Sequence, residues 1–202
     1  FAEKVTVNDN ASSRQKKNAG NFFDSFLGFN FIYDKRNQKF DTTDGFFSNY
    51  SLVLPLYSET GTLKNSYNFK IFSELYENNI STASLLLSTT TSVNDEDIKL
   101  SERLFIPGNR LRGFESGKVG PKDGSDFIGG NYLTALNLTT SIPKLLENSQ
   151  TVDFVAFFDA GNIWGIDYDD TINDNSKIRT SIGLGLNWMT PIGPLSFSYA
   201  EP

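Results

Sequence analysis

The sequence predicts an all-β fold, an antiparallel transmembrane β-barrel fragment of about eight strands with one long lumenal loop. Three observations lead there. Apolar and polar residues alternate with a period of two through most of the chain, helical periodicity is nearly missing, and the connections are short on one side and long on the other.

The clearest alternation runs over 178–189, where Ile178, Thr180, Ile182, Leu184, Leu186 and Trp188 share one face. Arg179, Ser181, Gly183, Gly185 and Asn187 share the other. Leu27, Phe29, Phe31 and Tyr33 likewise oppose Gly28, Asn30 and Asp34, and Tyr67, Phe69, Ile71 and Leu75 oppose Asn68, Lys70 and Glu74. These patterns predict strands at 22–34, 46–56, 67–76, 80–93, 131–142, 152–164, 178–189 and 194–200, with a further one beginning at residue 1. Only SIPKLLENS at 141–149 suggests a short turn of helix. Short connections are expected at NQKFDTTDG, YENNI, LLENSQ and MTPIGP, and longer ones at 57–66, 94–130 and 165–177.

Alternation alone also allows a soluble β-sandwich, whose apolar faces bury each other. Charges inside strands, aromatics near strand ends, ten-residue segments and asymmetric connections favour a barrel with its apolar face in lipid. In lipid such a sheet must close, because an open edge leaves backbone groups unsatisfied.

Composition narrows the chemistry. The chain has no cysteine and no histidine, which removes thiol and imidazole catalysis, disulfides and nearly all zinc sites. A net charge of −6 with no basic patch argues against nucleic-acid binding. The acidic stretch at 167–175 lacks the glycine and terminal glutamate of a calcium loop. Gly183 and Gly185 lie inside an alternating strand with no helix following, so they predict relief of crowding or strand bending instead of a nucleotide site. Asp153 and Asp159 stand roughly 20 Å apart along one strand and cannot share a substrate bond. The N-glycosylation patterns at 78–81 and 137–140 are chance matches. No catalytic residue, cofactor or metal is assigned, and no enzyme is expected.

Three stretches, RLFIPGNRLRGFESGKVGP, FFDAGNIW and LNWMTPIGPLSFSYAEP, follow one another with strand-sized gaps, and YDKRNQKFDTTDGFFSNYSLVLP precedes them. Together they resemble the carboxy-terminal half of the barrel in the BamA/TamA superfamily of outer-membrane assembly factors, over most of 22–202. The resemblance implies that the eight strands are the eighth through fifteenth of sixteen. Residues 1–202 would then belong to one C-terminal barrel domain, with the first strands, the last strand and the periplasmic repeats outside this sequence. It implies a location in the bacterial outer membrane and a role in folding and inserting β-barrel proteins. Its partners would be membrane lipids, unfolded barrel clients and, through the periplasmic repeats, Bam lipoproteins. A TamA-like or two-partner secretion translocator is the alternative within the superfamily, and a passive porin the alternative outside it.

The superfamily's arginine-glycine-aromatic motif lies on a long loop folded into the lumen, and it matches Leu111, Arg112, Gly113 and Phe114. A guanidinium in a partly desolvated lumen calls for a fixed charged partner. Asp159 is the expected anchor, because alternation puts it opposite Phe154, Ala156, Phe158 and Ala160, and an aspartate facing lipid would be costly. The superfamily often supplies a second acid from the strand after the loop. Here that position matches Thr139, leaving Asp159 alone, or with Glu115 or another acid, to hold Arg112.

Overall fold

A computed structural model describes the chain except residues 1, 11–15, 17–18, 59–60, 95, 143–151, 168–171, 173 and 175–176. Its main element is an antiparallel sheet built from β3 (Ser25–Asp34), β4 (Gly45–Tyr57), β5 (Thr62–Glu74), β6 (Ile80–Ser92), β9 (Tyr132–Ile142), β10 (Val152–Trp164), β11 (Arg179–Thr190) and β12 (Gly193–Glu201). These strands pair as an open meander in the order β12-β11-β10-β9-β6-β5-β4-β3. Two small ribbons flank it: β1 (Ala2–Val5) with β2 (Gly20–Phe23), and β7 (Lys122–Asp123) with β8 (Asp126–Phe127) inside the 93–131 loop.

The two faces of the sheet divide as the alternation requires. Ile182 and Leu184 are 64% and 60% exposed, which rules out a sandwich interior for this face. Leu27, Phe29, Phe31, Ile71, Leu87, Leu136, Leu138 and Phe158 continue the exposed apolar surface across the other strands. Such a surface is stable only in lipid. Aromatics mark its borders. Tyr132 stacks on Trp164 at 5.8 Å beside the long loops, and Tyr33 meets Phe46 at 5.5 Å beside a short turn. Among the described residues no helix is long and apolar enough to cross a membrane.

The opposite, lumenal face carries the core. Ile106, Leu111 and Val119 from the long loop pack against Leu133, Ala135 and Ile163 of the wall, with Leu86, Leu104 and Phe114 alongside. Gly183 shows how tight this side is. A Cβ there would stand 2.1 Å from the Tyr199 carbonyl and 2.5 Å from the Phe157 ring, so no side chain fits.

Several boundaries differ from the sequence-based expectations. The strand expected at 22–34 divides at Asp24, which is buried and held by Ser58 and Lys99, and β3 begins on a register shift between Ser25 and Phe26. The first residues pair with β2 in their own ribbon and do not extend the wall. The strand expected at 67–76 begins at Thr62, so the long connection expected at 57–66 shrinks to 58–61. Polar residues occupy both faces there. Asn65 accepts from Tyr50 on the outer side while Ser66 pairs with Ser88 on the inner side, and this erases the alternation. The helical turn expected at 141–149 falls mostly outside the described residues, and Ser141 and Ile142 end β9.

The long loop is also tied down at its start, through charged residues to which the sequence assigns no role. Lys99 and Asp24 form a buried ion pair at 3.1 Å, and the Lys99 ammonium lies 3.8 Å from the Phe22 ring centre. A 3-10 turn at Leu100–Glu102 delivers Glu102 to the Thr62 hydroxyl at 2.6 Å, and Arg103 reaches Asp167 at 3.6 Å. Asp167, at the start of the acidic stretch, accepts the Ile98 backbone N–H at 2.7 Å and also bonds Asn131.

Burial raises the Asp24 carboxyl, but hydrogen bonds from Ser58 and Lys99 and the Lys99 charge outweigh it, so the group titrates below its ordinary 3.8. A carboxyl lowered by folding stabilises above its unfolded value, and that contribution is lost as pH falls through the folded one. A spin label at exposed Ser101, two residues after Lys99, should therefore stay ordered from neutrality down to about pH 4 and loosen below it, whereas Asp24→Asn should loosen it throughout. Gly183→Val should destabilise the sheet by about 1–3 kcal/mol, and Leu184→Arg by about 2–4 kcal/mol, both measured as lowered midpoints of heat-induced unfolding in detergent or bilayer.

Candidate functional site

The Arg112 motif sits on the lumenal side against β10. Leu111 is 2% exposed and plugs into the core cluster, which fixes the backbone one residue before the arginine. Gly113 follows with φ +87°, a left-handed turn that favours glycine, and its Cα lies so close to β12 that a Cβ would touch Ala200 at 3.1 Å. Phe114 folds back onto the same apolar cluster. Arg112 is thereby turned toward the wall.

Asp159 receives it. The carboxylate is fully buried and accepts Arg112 Nε at 2.7 Å on Oδ2 and Nη2 at 2.7 Å on Oδ1, a two-pronged pair. The Arg112 backbone N–H adds a third bond at 3.1 Å, so the strand grips both the side chain and the main chain of the loop. Beneath the guanidinium lies the Phe157 ring, 3.4 Å from Arg112 Cζ. Phe157 pairs directly with Gly183, so the missing side chain on β11 leaves room for the ring that supports the arginine.

The second group on Asp159 is neutral. Asn137 Nδ2 donates to Oδ1 at 2.8 Å and to the Arg110 carbonyl at 2.8 Å. Thr139, the position expected to correspond to a second acid, makes no such bond; alternation puts it on the same face, but Asn137 is the residue directly opposite Asp159. Glu115, the other expected contributor, points away and pairs with Lys118 at 2.9 Å, both exposed.

Arg110 was not anticipated from the sequence. Its guanidinium donates to Asn68 Oδ1 at 2.9 Å, to Asn137 Oδ1 at 3.2 Å and to the Ser84 hydroxyl, all neutral acceptors on three different strands. Burial pulls its pKa below the usual arginine range while the Asp159 charge acts the other way, and an arginine so placed stays charged. The polar residue inside LNL at 136–138 was the available signal for Asn137, and the doubled arginine in RLR was the signal for Arg110.

These contacts fall on one level of the wall. Asp34 pairs with Phe47, Phe47 with Lys70, Lys70 with Ser84, Ser84 with Asn137, Asn137 with Asp159 and Asp159 with Ser181, forming a continuous lumenal belt across seven strands. Loop and turn arginines meet it from above and below. Arg112 binds Asp159, Arg110 binds Ser84 and Asn137, and Arg36 grips Asp34 at 2.7 and 2.9 Å with its guanidinium 5.0 Å from the Phe47 ring centre. The arrangement holds a loop against a wall.

Comparison with known proteins places this architecture. An Omp85 superfamily domain matches residues 2–202. The outer membrane protein assembly factor BamA of Nitratidesulfovibrio vulgaris strain Hildenborough is 25% identical over 208 residues, covering 99% of this chain and 26% of that protein. BamA of Neisseria meningitidis serogroup B is 29% identical over 135 residues, covering 53% of this chain and 17% of its own. The crystal structure of BamA from Haemophilus ducreyi lacking POTRA domains 1-3 superposes with a TM-score of 0.80 at 27% identity, covering 98% of this chain and 42% of that one. The chain thus spans about a quarter of the length of the Nitratidesulfovibrio relative. With its two-faced sheet, its tucked loop and a domain match over nearly every residue, the chain belongs to the Omp85 superfamily.

Proposed function

We propose that this chain is the carboxy-terminal part of a barrel that folds and inserts β-barrel proteins into the bacterial outer membrane. The observation that carries the proposal is the Arg112–Asp159 clamp, which fastens a long lumenal loop to a wall similar to that of BamA. The work involves no covalent step. A bilayer penalises unpaired strand edges, so a barrel that offers an edge as template and thins the membrane beside it lowers the barrier for a client strand to enter. Residues 1–202 contribute the rigid wall and the clamped loop. The template edge, the first strands and the last strand belong to the rest of the barrel, and periplasmic repeats outside this sequence engage Bam-type lipoproteins. Membrane lipids meet the apolar outer face, and unfolded outer-membrane proteins are the clients.

The clamp matters because a loop free in the lumen would be a mobile plug, whereas a fixed one makes the barrel a single stiff body. Removing one partner of such a buried pair leaves the other charge uncompensated, which typically costs about 3–5 kcal/mol. Arg112→Ala and Asp159→Asn should each lower the yield of folded, heat-modifiable porins in cells that depend on this protein. Arg112→Lys should not restore it, because an ammonium cannot bind both carboxylate oxygens and stack on Phe157. Normal porin yield in both loss variants, with the protein at its usual level in the membrane, would refute the assembly role of the clamp.

A further inference from the structure

The lumenal belt carries more positive than negative charge at one place. Lys70 on β5 stands directly opposite Ser84 on β6, and the Ser84 hydroxyl accepts a bond from Arg110. Directly opposed residues in a sheet have Cβ atoms about 4.5–5.5 Å apart, which brings the Lys70 ammonium within reach of the Arg110 guanidinium. On its other side Lys70 faces Phe47, over whose ring lies Arg36.

Two carboxylates serve these cations, and neither is free. Asp34 is occupied by both prongs of Arg36, and Asp159 by Arg112 and Asn137. Among the described residues Lys70 has no carboxylate at ion-pair distance, and the three hydrogen-bond acceptors of the Arg110 guanidinium are neutral side chains. Two uncompensated like charges held close together repel each other. Among the described residues Arg110 keeps Nε and one Nη2 hydrogen uncommitted, and Lys70 keeps all three of its donors.

We propose that Lys70 and Arg110 form an oxyanion-binding site in the lumen, taking a carboxylate or a phosphate between them. Lys70 supplies a point charge and Arg110 a directional pair of donors, while Asn68 and Ser84 hold the guanidinium in place from below. Such an anion would add a charged tie to β5, where Arg110 already bonds Asn68, as Asp159 ties the loop to β10, and so extend the clamp around the lumen. The occupant is either a free anion from solution or an acidic side chain carried by another part of the barrel. The site stands on the belt geometry and does not depend on the assembly role.

The test measures the acylation rate of Lys70 in the intact membrane-inserted protein by mass spectrometry, with exposed Lys118 as internal reference and inorganic phosphate as the probe. A bound anion holds the ammonium in its charged, unreactive form, so occupancy should slow Lys70 by about tenfold. Slowing that rises with phosphate concentration and is lost in Arg110→Gln identifies a free anion. Slowing already present without phosphate, and relieved by Arg110→Gln but not by Arg110→Lys, identifies an internal carboxylate. Equal rates for Lys70 and Lys118 at every phosphate concentration would overturn the proposal, as would a slow Lys70 rate that Arg110→Gln leaves unchanged.

Discussion

A buried guanidinium fastened to a buried carboxylate is the constraint on which the rest of this architecture depends. Asp159 lies on a strand whose opposite face meets lipid, so its charge can be carried only on the inner side and only with compensation. Arg112 provides that compensation from the loop folded against the lumenal face. The neighbouring residues follow from this demand. Phe157 supports the flat face of the guanidinium, Gly183 makes room for Phe157, Gly113 turns the chain against β12, and Leu111 plugs into the apolar cluster one residue before the arginine. Asn137 fills the remaining place on the carboxylate with a neutral donor that also holds the loop backbone.

The clamp has a counterpart at the other end of the loop. Lys99, Glu102 and Arg103 reach β2–β3, β5 and the connection after β10 in turn, so a segment of mostly irregular backbone is anchored on several walls. The loop's backbone polar groups also find partners through the bridge between Leu104 and Gly130 and the ribbon of β7 and β8. These pairings satisfy part of the loop's backbone where it lies against the wall. The loop acts as part of the wall's inner layer.

Much of this was legible from residue types alone. The outer face was readable wherever one face was mostly apolar and the other polar or glycine, as at 178–189, because lipid favours apolar side chains there. Asp159 was readable because a charge within an apolar strand has only one tolerable direction, and Arg112 because a glycine and an aromatic beside it match a known lumenal motif. Asn137 escaped because a neutral amide carries no such penalty and leaves its direction open. The start of β5 escaped because both faces are polar around Asn65 and Ser66. The anchors at 99–103 escaped because a run of mixed charges in a loop has the composition of a solvated surface, and only the fold brings Asp24 and Asp167 to it.

The most direct test of the central claim is a double-mutant cycle on thermal unfolding of the membrane-inserted protein, using Arg112→Ala, Asp159→Ala and the double variant. A clamp that fixes the loop predicts strong coupling, with the double variant about 2–3 kcal/mol more stable than the sum of the single losses allows. Losses that add with no coupling would show that Arg112 and Asp159 contribute independently, and the account built on their pairing would fail.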